Sequence, residues 1–387
     1  MRVSKCWPIV ILLTGLGSCI DPFTPDISES KDLLVVSGNI SDQPGEHFLS
    51  VSRSAPFNSP KFLPVTGCVV RVEDEEGKGF TYTEKKAGEY SVLLNKPFLG
   101  LKKSYKLLIY TPDGEEYQSD FDPMLPCPPI EKLYFESETQ ATEDPDISIQ
   151  GIRFYIDVKG EENESGSFLW KLEQTYKYHA IYSIQYFWDD VTLTEYDPPI
   201  DSLHWCYLTG PINELYTASS KYLVANELQH YPLTFVSANT PRLLYRYSLL
   251  VSQYSLSEEA YIYWEKAKSK LSETGGLYET QPASSSGNIH NVHDENEQVL
   301  GFFYASQVTE TRINLKNDFD FSIQNYTCRL DTITNLREQL GGNNLVYMIS
   351  LNEDGSGPPY GMSDPGCFDC TARGGTTTIP DFWKEND

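Results

Sequence analysis

The chain has 387 residues, 40% of them hydrophobic and 13% aromatic, with a formal net charge of −25. That apolar content supplies real cores and excludes a disordered polymer. The charge argues against nucleic acid, whose binding depends on Lys and Arg neutralising phosphates, and against lying flat on an anionic bilayer. The length predicts two domains, or three small ones.

Residues 1–18 divide into the parts of an export signal. Arg2 and Lys5 form a positive n-region, Pro8-Ile9-Val10-Ile11-Leu12-Leu13 a short apolar run, and Gly15-Leu16-Gly17-Ser18 a small-residue approach to Cys19. The run is well short of the roughly 20 residues a spanning helix needs, so it reads as a cleaved signal rather than a transmembrane segment. Leu16-Gly17-Ser18-Cys19 has the pattern of a lipobox, in which Cys19 receives a thioether to diacylglycerol. Several acyl chains hold a protein to a membrane far more firmly than one. Residues 19–31, with Pro22 and Pro25, lack periodicity and read as an extended tether. Losing Arg2 and Lys5 with the signal leaves the mature chain more acidic still.

Residues 32–120 read as a β-sandwich. Asp32–Ile40 is a strand signal closed by the turn Ser41-Asp42-Gln43-Pro44-Gly45, and Phe48–Val51 follows. Cys68–Asp74 alternates apolar and polar, as a half-buried strand does. Phe80–Tyr82, Tyr90–Leu93 and Ser104–Tyr110 complete a series of short strands spaced by turn signals. Val36-Ser37-Gly38, Val70–Asp74, Ala87-Gly88-Glu89-Tyr90 and Lys103–Leu107 resemble the prealbumin-like sandwich related to carboxypeptidase regulatory domains. That resemblance implies a non-catalytic module of the kind attached to exported proteins.

Residues 121–130 hold Pro123, Pro126, Pro128 and Pro129 and are expected to form a stiff linker. Residues 131–387 are expected to form a larger β-rich domain carrying one prominent α-helix. Ile149–Val158, Phe168–Glu173 and Leu243–Tyr254 read as strands, while 176–230 is tyrosine-rich without clear periodicity. The helix is placed near 256–273, with Leu256, Ala260, Tyr263, Trp264, Ala267 and Leu271 at helical spacing. Ser255-Leu256-Ser257-Glu258 fits a capping box, with Ser255 as N-cap and Glu258 at N3. Val299–Ala305 and Thr311–Leu315 return to strand. The fold class is therefore mainly β, a sandwich followed by a larger β-rich region.

The combined pattern resembles one family across essentially the whole mature chain, most specifically in its C-terminal element. Tyr247–Val251 running into Tyr254–Tyr261, Gly287-Asn288-Ile289-His290, Gly301–Ser306, Cys367-Phe368-Asp369-Cys370, Arg373–Thr377 and Pro380-Asp381-Phe382-Trp383 are similar to the Bacteroidota lipoproteins catalogued as the domain of unknown function 4249 family. The resemblance implies a lipoprotein often encoded beside a TonB-dependent outer-membrane receptor. It transfers no catalytic residue. The acidic residues just after Cys19 resemble the surface-export signals of that phylum and imply an outward-facing molecule.

Of eight cysteines, Cys6 leaves with the signal and Cys19 carries lipid. Cys68, Cys127, Cys206, Cys328, Cys367 and Cys370 remain as disulfide candidates, with their pairing open. Cys367-Phe368-Asp369-Cys370 could serve redox chemistry or half a zinc site, but it lies in a loop context without the βαβ setting of a redox pair or a second ligand pair. A structural disulfide is the preferred reading. His290 and His293 with Asp294, Glu295 and Glu297 read as a solvated loop rather than a metal site, and Asp189, Asp190, Asp197 and Asp201 lack the spacing of a calcium loop. No cofactor is expected. Tyr176, Tyr178, Tyr182, Tyr186, Phe187 and Trp188 suit either a binding surface or a sheet core. Asp201-Ser202-Leu203 and Asp331-Thr332-Ile333 fit the short O-glycosylation pattern of Bacteroidota.

No Gly-x-Ser-x-Gly elbow, His-Glu-x-x-His helix or Walker loop is present. The leading expectation is a non-catalytic, lipid-anchored outer-membrane protein. It would be an accessory or ligand-binding partner of a TonB-dependent receptor, with a glycan or peptide as ligand. The alternatives are a surface hydrolase with a carboxylate-based site and an adhesion or envelope-structural module.

Overall fold

The computed structural model describes residues 32–383, apart from 56–60, 143, 145, 162–165, 274–286 and 341–344. The signal, Cys19 and the tether lie outside the described residues. The chain is mainly β, built as two successive sandwiches and a smaller five-stranded sheet, with one long helix.

In the first sandwich, Leu34–Ser41, Gly45–Arg53, Glu89–Leu94 and Thr83–Lys86 form one antiparallel series. Val69–Asp74, Gly79–Thr81, Ser104–Tyr110 and Glu116–Ser119 form the other. Along Val69–Asp74 every second residue is buried, the period-2 pattern of a strand with one face on a core. Val36, Val51, Val70, Val72, Phe98 and Ile109 meet between the layers.

Both layers also take strands from far along the chain. Ile289–Asn291 pairs antiparallel with Glu116–Ser119. Val299–Leu300 and Phe303–Ser306 pair in parallel with Leu34–Ser41. Asn288 brackets Phe303, accepting from its N–H at 2.9 Å and donating to its carbonyl at 2.8 Å. Gly301 adopts φ +112°, and a Cβ there would lie 1.8 Å from the Val36 carbonyl oxygen. Only glycine lets the returning backbone come that close.

The expected stiff linker at 121–130 is instead built into the structure. Asp122–Pro123 pairs with Ser104–Tyr110, Met124 is fully buried, and Leu125 forms a parallel bridge with Ser306. Prolines restrict the chain but leave carbonyls free to accept, so a proline-rich stretch can lie at a sheet edge as readily as in solvent.

The second sandwich sets Ile130–Ala141, Ser148–Lys159 and Glu227–Ser237 against a four-stranded sheet. The order of that sheet is Trp205–Ser219, Ser167–His179, Arg246–Ser255, Val308–Lys316. Phe154, Ile156, Trp170, Leu172, Leu249 and Val251 share its core. The tyrosine-rich stretch thus resolves into strand. Tyr176, Tyr178, Tyr186 and Trp188 are buried, so most of that cluster serves cores rather than a surface.

The helix runs Glu258–Glu273. Its N-cap is Ser257, whose hydroxyl accepts from the Ala260 N–H at 3.2 Å, not Ser255 as the capping-box pattern predicts. Ser255 is held extended as the last residue of its strand, opposite Phe168, and its hydroxyl donates to the Leu125 carbonyl at 2.6 Å. Leu256 and Ala260 pack with Leu169, Phe302 and Tyr304, seating the helix over the end of the four-stranded sheet.

Candidate functional site

The C-terminal segment builds the site. Asp364 accepts from the Gly366 N–H at 2.9 Å and Asp369 from the Thr371 N–H at 2.8 Å. These carboxylates open two single-turn helices, Pro365–Cys367 and Cys370–Arg373. Cys367 and Cys370 do not bond each other. The disulfides are Cys206–Cys370 and Cys328–Cys367, so the motif staples the segment to two distant parts of the chain. With both cysteines oxidised to different partners, neither a redox dithiol nor a zinc half-site is present. Of the six disulfide candidates, Cys68 and Cys127 are free and buried. Burial pushes both thiols above their ordinary pKa, which makes them poor nucleophiles.

After the second short helix the chain turns at Gly374, φ +87°. Thr376 and Tyr207 then exchange N–H···O bonds of 2.8 and 2.9 Å. Phe382 lies under the Arg312 guanidinium at 3.6 Å. Trp383 meets Tyr207 edge to face and carries the Arg246 guanidinium 5.6 Å above its ring.

Beside Trp383 the four-stranded sheet presents a row of cations. Lys177 faces Tyr207 across one strand pair, and Arg246 faces Lys316 across another. Tyr176 opposite Tyr247 is the adjacent register step, which brings Lys177 alongside Arg246. Tyr176, Tyr178, Tyr247 and Leu315 point into the core, so alternation puts Lys177, Arg246 and Lys316 on the outer face. Like charges side by side on a sheet repel. Lys177 and Lys316 nonetheless make no ion pair with any carboxylate among the described residues. The Lys177 ammonium lies 4.5 Å above the Trp205 ring instead.

These cations, with Tyr207, Tyr245, Asn317 and Trp383, line an open cavity of about 570 Å³. Among the described residues no carboxylate lines it. Next to it the His179 and His204 rings lie 4.9 Å apart and tilted, against Trp205. Burial, and then the His179 charge, holds the His204 pKa below its usual value. On a molecule of net charge −25, a concave positive patch with aromatic walls attracts anions locally, and ring faces add stacking area.

The other candidates are scattered. His290 hydrogen-bonds Gln118 at 3.2 Å, His293 lies 3.8 Å from Glu116, and Glu297 accepts from the Tyr117 hydroxyl at 2.8 Å. Asp189 accepts two backbone N–H groups of its own turn, while Asp201 accepts from the Ser183 hydroxyl at 2.6 Å. No group of three or more His, Cys, Asp or Glu placed to hold a metal occurs among the described residues. Ser202 and Thr332 are both exposed. Reading along the chain missed Lys177, Arg246 and Lys316. Their one sequence signal is Lys or Arg on alternate strand positions opposite core aromatics, and their union depends on register.

No curated protein matches the chain. Among solved structures it is similar to trypsin-activated alpha-2-macroglobulin from Escherichia coli, at 10% identity and a TM-score of 0.19, over 59% of this chain and 15% of that one. It is also similar to a tetra-tandem repeat from the extending region of a large adhesion protein, at 8% identity and a TM-score of 0.18, over 84% of this chain and 61% of that one. At those scores neither likeness bears on function. Residues 20–312 match a family described as a domain of unknown function; the match stops short of the cysteine-rich C-terminal segment and its Trp383. Across that span, which takes in the first sandwich, most of the second and the long helix, the chain belongs to the DUF4249 family.

Proposed function

We propose that this is a non-catalytic, lipid-anchored outer-membrane protein of Bacteroidota type, tethered through Cys19 and facing outward. In this reading it is the accessory, ligand-binding partner of a TonB-dependent receptor, and its first sandwich is prealbumin-like. The row Lys177, Arg246 and Lys316 carries the ligand-binding part. A sheet whose two lysines stand beside like charge, with no carboxylate partner among the described residues, is arranged to receive anions from outside. The ligand class is an acidic glycan or acidic peptide, its ring or backbone stacking on Tyr245 and Trp383. The lipobox and the tether support the anchor and its reach.

The test is purification of the full-length anchored protein from membranes in mild detergent, with washes of polygalacturonate and poly-glutamate as acidic probes. A co-purifying outer-membrane barrel and probe binding weakened about tenfold or more by Lys177→Glu with Lys316→Glu are expected. Recovery without any barrel sinks the receptor partnership. Probe binding indifferent to those substitutions sinks the pocket.

A further inference from the structure

A second cleft lies where the two sandwiches meet, under the long helix. It encloses about 480 Å³, and its walls come from distant parts of the chain. Asn39 and Ser50 belong to the first sandwich, Glu89 to its neighbouring strand, Lys171 to the four-stranded sheet, Trp264 to the helix and Tyr304 to the returning strand.

Two of these groups are in unusual states for a folded interior, and a third is a lysine set among aromatic rings. The Tyr304 hydroxyl and the Trp264 indole N–H are buried without any hydrogen-bond partner, and Tyr304 is 2% exposed. A buried donor left unmade is costly, so each such group calls for an occupant. Lys171 is exposed as a residue, and its ammonium lies beside two rings, 4.7 Å from the Tyr254 centroid and 5.7 Å from that of Tyr304. Its single hydrogen bond among the described residues goes to the Asn39 side-chain oxygen at 3.2 Å, and it pairs with no carboxylate there. Desolvation beside those rings pushes its pKa below the usual lysine range. Glu89 on the rim has its charge offset by Lys86 at 3.6 Å.

The geometry points to a ligand site in this cleft for a sugar acid. Its carboxylate pairs with Lys171, its ring oxygens accept from Tyr304 and Trp264, and its hydroxyls donate to Glu89 and Asn39. The combination selects against both partial mimics. A neutral sugar leaves the ammonium uncompensated, and a bare acid leaves the buried donors unmade. The cleft is independent of the cationic pocket beside Trp383, which shares no lining residue with it.

The test is calorimetric titration of the full chain with D-glucuronate, D-glucose and acetate, alongside tryptophan fluorescence. Saturable glucuronate binding is expected, with glucose and acetate each weaker by about tenfold or more. Lys171→Met is expected to weaken glucuronate about tenfold. Tyr304→Phe removes only the orphan hydroxyl, so it is expected to weaken binding severalfold without lowering the melting temperature. Glucuronate affinity that falls with Lys177→Met but not with Lys171→Met assigns the sugar acid to the Trp383 pocket and overturns the cleft. No glucuronate binding, equal binding of glucose, or affinity untouched by both Lys171→Met and Tyr304→Phe overturns the assignment.

Discussion

Asp122 is 3% exposed at the seam between the sandwiches. One carboxylate oxygen accepts from the Ser257 hydroxyl at 2.5 Å and the other from the Ala305 N–H at 2.9 Å. It thereby ties the helix N-cap to the strand that returns to the first sandwich. Burial raises its pKa from the ordinary 3.8 to about 6, more than the two hydrogen bonds lower it. A group whose folded pKa is raised binds its proton more tightly in the native state. Its contribution to stability is therefore full below the unfolded value and is lost as pH rises through about 6. Asp122→Asn is expected to flatten the melting temperature against pH over that window relative to wild type. Parallel curves for the two proteins would show that Asp122 does not titrate there.

At the scale of the element, the long helix shows what local pattern can and cannot specify. Its apolar spacing, its approximate limits and its acidic first turn were legible in the residues. Its cap was not, because the capping-box pattern favours Ser255, with Glu258 three residues on, over Ser257, which has Ala260 there. Strand pairing at Ser255 decided between them. Ser257→Ala is expected to lower stability by about 1 kcal/mol through loss of the cap. It also removes the hydrogen bond to Asp122, so its cost in urea unfolding should exceed that of Glu259→Gln, an exposed change on the same turn. Equal costs would count against the cap. The strand Val69–Asp74 was readable for the opposite reason, since its period-2 alternation meets a single core face and nothing competes with it.

For the whole molecule, the C-terminal segment depends on two crosslinks of very different reach. Cys206–Cys370 spans 164 residues and Cys328–Cys367 spans 39. Closing long loops restricts the unfolded chain most, with typical effects of about 2–4 kcal/mol. Cys206→Ser with Cys370→Ser is expected to lower the melting temperature by several degrees. It should also weaken acidic-probe binding at the Trp383 pocket while sparing the Lys171 cleft. Loss at both sites together would mean global unfolding rather than release of one wall. The even count of candidate cysteines pointed to disulfides, yet Cys68 and Cys127 are left out, each buried and free.

By itself the sequence determined the quantities that depend on neighbours along the chain: the acidic character, the mainly β class, the helix, and the alternation of the outer strands. Only the tertiary structure decided what joins residues hundreds of positions apart. It put residues 289–306 into the first sandwich, turned an expected linker into a buried seam, chose the disulfide partners, and aligned Lys177, Arg246 and Lys316 in one row. Those outcomes follow from strand register and close backbone approach, as at Gly301. Register is set by which faces find a common core, and a local pattern contains only one side of that contact.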